Sequence, residues 1–289
     1  MVELLQFLIA GLVIGSLYGL IGIGFTTVYN VTGIVNFAQG DFAMLGAMIA
    51  IAFLAAGIPT IPAAVMAVVI VAILGAVIER WMIRPVGQNV IRGIIVTIGV
   101  GIMLQGSAVV LWGAEPLAMP AFSGETPIHL FGATIPPQAI WVFTIALALM
   151  IGLNLFFRRT YLGKAFRACA VNPFAARLMG IRVATMNRVG FVLSGLFGAI
   201  AGIIIAPITL TEFDTGITVG IKGFVAGIIG GFGHPIGAAI GGLVLGVLEA
   251  MAAGYLSSGY KNAIAFVVLL IFLFLRPTGI MGEFEKVEH

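Results

Sequence analysis

Apolar residues in this chain gather in long blocks separated by short polar stretches. They do not alternate with polar ones. Nine blocks can be marked: Leu4–Tyr29, Asp41–Gly57, Pro62–Glu79, Ile91–Trp112, Gln138–Phe157, Val189–Thr209, Gly216–Gly231, Ile236–Ala253 and Asn262–Leu275. A helical block of about twenty residues matches the roughly 30 Å hydrocarbon core of a bilayer. A β-barrel would instead show alternating strands of about ten residues. The pattern predicts an all-α polytopic membrane protein with about eight to nine transmembrane helices. Two blocks, Asp41–Gly57 and Gly216–Gly231, are short, which leaves the lower count open. No soluble domain is expected, so the chain reads as a single transmembrane domain over 1–289.

The two halves resemble each other. GLVIGSLYGLIGIG (Gly11 to Gly24) lines up with GFVLSGLFGAIAGI (Gly190 to Ile203). A polar, interrupted stretch follows each: Thr32 to Ala50 in the first half, Thr215 to Gly231 in the second. The matching blocks lie five apart, an odd number, so the repeat would be inverted in the membrane. We expect a first pseudo-repeat over about 8–112 and a second over about 187–276. Interrupted hydrophobic segments at corresponding places in two halves point to a transport path near the midplane. Glycine also recurs at four-residue spacing, at Gly11, Gly15 and Gly19, at Gly198 and Gly202, and in pairs through Gly237 to Gly246. Small residues so spaced let membrane helices approach closely, which predicts a tight, closely crossing bundle.

Composition agrees with the pattern. The chain is 61% hydrophobic and 9% charged, against about 25% charged in soluble domains. The net charge of +3 reports topology and gives no reason to expect a nucleic-acid partner. The opening MVELLQ has Glu3 and no Lys or Arg before its apolar run, so that run is expected to stay as a span and not be removed as a leader. The single cysteine, Cys169, excludes an intrachain disulfide and a thiol metal cluster, and small apolar packing is its expected role.

Charge placement sets orientation. Arg80, Arg84 and Arg92 sit in the loop around Glu79 to Arg92, where the third block gives way to the fourth, and seven more basic residues lie in the segment from Arg158 to Arg188. Short loops rich in Lys and Arg stay in the cytoplasm. The loop Gly113 to Pro137, with Glu115, Glu125 and His129 but no Lys or Arg, should then be external, as should Glu212 and Asp214. Arg276 falls inside, and nine crossings would put the N-terminus outside.

The segment 158–188, RRTYLGKAFRACAVNPFAARLMGIRVATMNR, contains no Asp or Glu. Asn172 can cap the helix that Pro173 opens, and Gly180 stands where a left-handed residue closes one. This predicts a short helix from Pro173 to Met179 behind another from about Tyr161 to Val171. Helices this short are marginal alone, so a partner protein is expected to hold them. A basic loop that only fixes topology against lipid headgroups is the plainer alternative.

A few polar residues stand against the apolar pattern. Asn36, Gln39 and Asp41 lie in NFAQGD. As a surface turn they cost nothing; if the segment re-enters the bilayer, Asp41 alone costs about 2.5–3.5 kcal/mol and must face protein or water. Both remain open on sequence. Lys222 beside Gly223, and Glu249, are the other embedded charges. Glu249 is expected near a helix end or paired with a base such as Lys261. His234-Pro235 reads as a tight turn. No GxxxxGK[ST] phosphate cradle is present, nor an HExxH metal site, nor the chain of buried acids and bases of a proton pump. A permease energised by separate ATPase subunits needs none of these. It needs a cytoplasmic docking element.

SLYGLIGIGFTTVYNVTGIVNFAQGDFAMLGA, YLGKAFRACAVNPFAARLMGIRV and VGIKGFVAGIIGGFGHPIGAAIGGLVLGVLE together resemble, in order and spacing, branched-chain amino acid ABC transporter permeases of the LivH type. The resemblance covers essentially the whole chain. It implies a bacterial inner-membrane subunit working with a second permease of the LivM type (or a second copy), two cytoplasmic ATPase subunits and a periplasmic solute-binding protein. ATP would bind the partners, with no cofactor on this chain and no enzymatic activity of its own. On this likeness Gly163, Lys164, Arg167, Ala168, Asn172, Pro173, Ala175, Ala176 and Gly180 belong to the ATPase-coupling segment. Asn36, Gln39, Gly40, Asp41, Lys222 and Gly223 belong to the translocation path, Gln39 standing where the family often has His. Permeases for urea and short amides share these motifs. An ion-coupled carrier is the alternative outside the family.

Overall fold

The computed structural model describes residues 2–87, 89–124, 126–130, 133–255, 257, 259 and 261–282. Each of the nine apolar blocks forms a helix: α1 (Val2–Thr32), α2 (Gln39–Ala55), α3 (Thr60–Ile78), α4 (Val90–Trp112), α5 (Pro137–Arg159), α8 (Val183–Ile205), α9 (Thr215–Gly230), α10 (Pro235–Tyr255) and α11 (Lys261–Leu275). Two short helices, α6 (Tyr161–Val171) and α7 (Pro173–Leu178), fill the basic segment. Six of the long helices are apolar enough, over enough residues, to cross a membrane; α2, α9 and α11 are shorter. The chain is a multi-pass helical membrane protein. One small departure from all-α is a pair of antiparallel strands, β1 (Ile128–Leu130) and β2 (Ala133–Ile135), in the loop before α5. Glu125 lies outside the described residues.

α1 is the central post. From Tyr18 to Val28 it is buried on every side, as befits a helix that is apolar all round. It lies along α10, with α8 and α9 against its other faces. Glycine makes these contacts close: a Cβ on Gly11 would sit 2.6 Å from the Val247 Cα, and one on Gly15 2.8 Å from both the Gly242 carbonyl and the Leu243 Cα. α8 lies in the same manner along α3, where Gly75 meets the Phe191 carbonyl and Gly195 the Val71 carbonyl. α2 rests on α8 and α9 rests on α1. α4 is the most peripheral of these, presenting Ile91, Ile95, Ile102 and Val110 outward.

Two faces can be told apart. The ends of α1 and α3, the basic helices α6 and α7 and the start of α8 share one cleft, and this basic face collects the arginines. The loops after α4 and α8 meet on the other face, where Leu117 and Thr211 exchange backbone hydrogen bonds at 2.9 Å. Since α1 ends at the basic face, it begins on the opposite one.

Replacing Gly15 by Leu should force α1 off α10, because the atoms in the way are backbone. Overpacking of this kind costs about 1–3 kcal/mol. Gly15→Leu is therefore expected to lower the unfolding temperature in detergent, whereas Gly99→Ala, with nothing within 4 Å of the added atom, should leave it unchanged or raise it. Equal unfolding temperatures would show that α1 and α10 are not in tight contact.

Candidate functional site

The polar side chains of the motif NFAQGD are buried. After α1 ends, residues 33–38 run non-helically into the bundle, and α2 starts only at Gln39. Gly101 and Ser194, the central residues of the 23-residue α4 and α8, are its neighbours, which places it at mid-depth. Gln39 is fully buried. Its Nε2 donates to the Ser194 carbonyl at 3.2 Å, and Ser194 Oγ donates back to its Oε1. Asp41, 3% exposed, accepts from Gln105 Nε2 at 2.8 Å. The unwound backbone is satisfied locally: Ile34 N donates to Thr32 Oγ1 at 3.1 Å, and Phe37 N to Thr97 Oγ1 at 3.2 Å. The polar side chains of the motif are therefore not those of a surface turn: Asn36, Gln39 and Asp41 are buried, their irregular backbone covered by protein.

α9 begins at the same depth. A Cβ on Gly40 would lie 2.7 Å from the Gly220 Cα, and one on Gly216 would lie 2.9 Å from the Asp41 Cα. The first turns of α2 and α9 thus touch backbone to backbone, from which α9 runs to the basic face and α2 to the other. Asp41 stands at the meeting of two helix N-termini, whose exposed N–H groups favour a negative charge. Asn36 is different. It is fully buried, and among the described residues neither its amide oxygen nor its nitrogen has a hydrogen-bond partner.

Glu249, expected near a helix end or paired with a base such as Lys261, is paired with a base. Glu249 sits inside α10, 1% exposed in its side chain, and its Oε1 is 2.6 Å from Lys222 Nζ of α9. The side chain of Lys261, the base expected for it, lies outside the described residues. The glycine-rich contact between α9 and α10 brings Lys222 to Glu249. Tyr18 of α1 donates to the same oxygen at 3.3 Å, and the Lys222 ammonium lies 5.4 Å from its ring centroid. Lys222 and Tyr18 also border a cavity of about 170 Å³ that reaches from Gly40 to the loop at Thr209–Thr211. Its walls are apolar (Leu17, Met44, Val219), with the hydroxyls of Thr215 and Thr218 among them. Of the residues predicted for the path, Gly40 and Lys222 line this cavity, and Gln39 and Asp41 lie beside its inner end. Gly223 instead packs on Ile21 and Gly22.

On the basic face the predicted helices form as read. Asn172 Oδ1 accepts from Phe174 N and Ala175 N, both at 3.0 Å, and Gly180 takes a φ of 82°. Thr160 Oγ1 caps α6 through Gly163 N at 2.9 Å, and a Cβ on Gly163 would meet the Phe157 Cα at 2.6 Å, so α6 folds back tightly on α5. Gly163 and Ala176 face inward. Lys164, Ala168, Pro173 and Ala175 face outward; Arg167 does too, at the edge of the set. Sequence reasoning missed what α7 displays: Phe174 is 69% exposed, Leu178 74% and Met179 83%. Large apolar residues inside a basic segment too short to span were the available signal. Behind α7, Glu79 is buried at the end of α3, its Oε1 3.4 Å from Arg84 Nε and its Oε2 3.5 Å from Arg188 Nε of α8.

A helical bundle with an interrupted helix and a buried polar junction at its middle, and exposed apolar side chains on a short basic helix at one end, fits the class of membrane permeases. The chain belongs to the family described as the branched-chain amino acid transport system permease component, whose model matches residues 7–273. It is 36% identical to the high-affinity branched-chain amino acid transport system permease protein BraD of Pseudomonas aeruginosa, over 98% of each chain. It is 35% identical to the corresponding LivH of Escherichia coli (strain K12), over 98% of this chain and 97% of that one. The fold resembles a solved structure titled PsaBC from Streptococcus pneumoniae in complex with Fab, at 14% identity and a TM-score of 0.52, covering 96% of this chain and 93% of that one.

The Lys222–Glu249 pair carries its own prediction. The two side chains meet at 2.6 Å, with Tyr18 on the same carboxylate oxygen, and breaking a buried ion pair by removing one partner costs about 3–5 kcal/mol, whereas replacing both with apolar groups is close to neutral. Lys222→Met and Glu249→Leu should each sharply lower the unfolding temperature, and the double variant should recover most of it. Additive losses in the double variant would show that the two charges are not coupled.

Proposed function

We propose that this chain is the transmembrane permease subunit of an ATP-driven importer for branched-chain or similarly apolar amino acids, with its basic face in the bacterial cytoplasm. Ten of the fourteen basic residues lie in the loop around Glu79 to Arg92 or in 158–188, which supports that sidedness. The partners are a second permease of the LivM type or a second copy, two cytoplasmic ATPases that bind the ATP, and a periplasmic solute-binding protein. The chain itself has no ATPase site. All nine apolar helices are assigned as membrane elements, α2 and α9 as half-helices of an inverted pair. The exchange of partners supports the inversion: α1 lies on α10 as α8 lies on α3, and α2 on α8 as α9 on α1.

The observation that carries the reading is α7. Phe174, Leu178 and Met179 stand exposed on an aqueous face, a composition typical of interface hot spots and unfavourable in water. Seated in an ATPase cleft, α7 would bury them, with Lys164, Ala168, Asn172, Pro173, Ala175 and Gly180 shaping the contact. Movement of α7 would pass into α8 through Gly180. From α8 it reaches α3 through Arg188 and Glu79, and reaches the junction through Ser194 and Gln39. The 170 Å³ cavity suits a small apolar side chain, and Lys222 with Thr215 and Thr218 offers partners for a carboxylate.

Ala175→Glu, or Phe174→Ser with Leu178→Ser, should cut co-purification of the ATPases by about thirtyfold or more, the weight of a hot spot, and ATP-driven leucine uptake in proteoliposomes with it. Surviving uptake and co-purification would refute the docking assignment. Asn36 tests the path separately. An unsatisfied buried amide costs about 1–3 kcal/mol, so Asn36→Leu should raise the unfolding temperature while lowering uptake at least tenfold, a common price of function. Unchanged uptake would remove Asn36 from the path.

A further inference from the structure

We propose that a groove between α5 and α10 binds one acyl chain of an anionic phospholipid from the basic-side leaflet, its phosphate held by Arg158 and Arg167. The groove holds about 500 Å³ and is walled by Leu147, Met150 and Ile151 of α5 and by Ile236, Ile240 and Leu243 of α10. Arg158, Arg167 and His234 stand in its lining, and among the described residues no carboxylate does. Leu147 and Ile151 are each about half exposed, so the walls open sideways to hydrocarbon.

Three features select this occupant. The first is length. The helical rise from Leu147 to Arg158 is about 16 Å, against roughly 15 Å for the hydrocarbon of one leaflet. A chain entering at the arginines would end near the midplane, where the groove ends. The second is charge. Neither Arg158 nor Arg167 has a salt bridge among the described residues, and basic pockets between membrane helices on this side bind anionic headgroups. The third is size. A helix about 10 Å across and 16 Å long fills on the order of 1,200 Å³, more than twice the groove, so a partner's membrane helix does not fit. The site stands independently of the transport reading, since it depends only on the groove, the two arginines and the membrane.

Native mass spectrometry of the full chain in mild detergent tests it, with phosphatidylglycerol, phosphatidylcholine of the same acyl chains, and inorganic phosphate as probes. One phosphatidylglycerol should be retained in preference to phosphatidylcholine. Each arginine lost, in Arg158→Gln and then with Arg167→Gln, should cut retention about fivefold, and Arg158→Lys should keep most of it. Ile151→Trp, at an exposed wall position that a folded chain tolerates, should fill the groove and abolish retention with both arginines in place. Equal retention of the two lipids would overturn the site. So would indifference to the arginines or to Ile151→Trp, or displacement of the lipid by phosphate alone, which would mark a headgroup-only contact.

Discussion

Everything in this bundle depends on how it shelters the break in its backbone between α1 and α2. Hydrocarbon offers nothing to an unpaired amide, so unwound chain survives at depth only where protein supplies the bonds. Here Thr32 and Thr97 supply them, and the close contact of Gly40 with Gly220 excludes lipid from the site. Beginning two helices at one point also concentrates their positive ends. Asp41 answers that field, and Gln105 fixes its orientation. A residue that looks prohibitively costly in sequence thus sits where two helix N-termini meet.

The same economy of charge recurs through the structure. Lys222 and Glu249 neutralise each other where α9 crosses α10. Glu79 is held between Arg84 and Arg188 where α3 meets α8. The remaining basic residues stay largely at the aqueous face. α8 joins the two regimes, since it follows the docking helix, carries Arg188 at its start, and presents Ser194 to Gln39 at its middle. A displacement of its basic end by one side chain's width would be felt at the junction, because interfaces packed through glycine backbones leave no compliant side chains to absorb it.

The helices, their order and the caps of α6 and α7 were legible, because apolar block length, Asn172 and Gly180 each act through local physics. The buried position of NFAQGD was not decided by sequence, since Asn, Gln and Asp suit a surface turn equally well until Thr97, Gln105 and Ser194 are known to surround them. Those three partners sit singly in apolar spans, where a lone hydroxyl or amide more often bonds its own helix. Glu249 was read as paired with a base such as Lys261; its pairing with Lys222 follows from the crossing of α9 and α10, which spacing along the chain does not reveal. The exposed face of α7 was readable in principle. Phe174, Leu178 and Met179 were passed over because attention went to the charges around them.

Apolar side chains in a basic, water-facing segment and an unpaired amide in an apolar core are opposite violations of one rule, and both cost stability. Single-chain stability explains neither. An apolar surface in water becomes favourable when another protein covers it. A buried amide becomes favourable when something polar reaches it. On the proposed reading a docked subunit would meet the first condition and a polar solute in transit the second, which would make the two defects opposite ends of one mechanical path. Between them lies α8, which contacts α2, α3 and α7. On that reading, this set of contacts would couple the six-residue α7 to a side chain in the middle of the bundle.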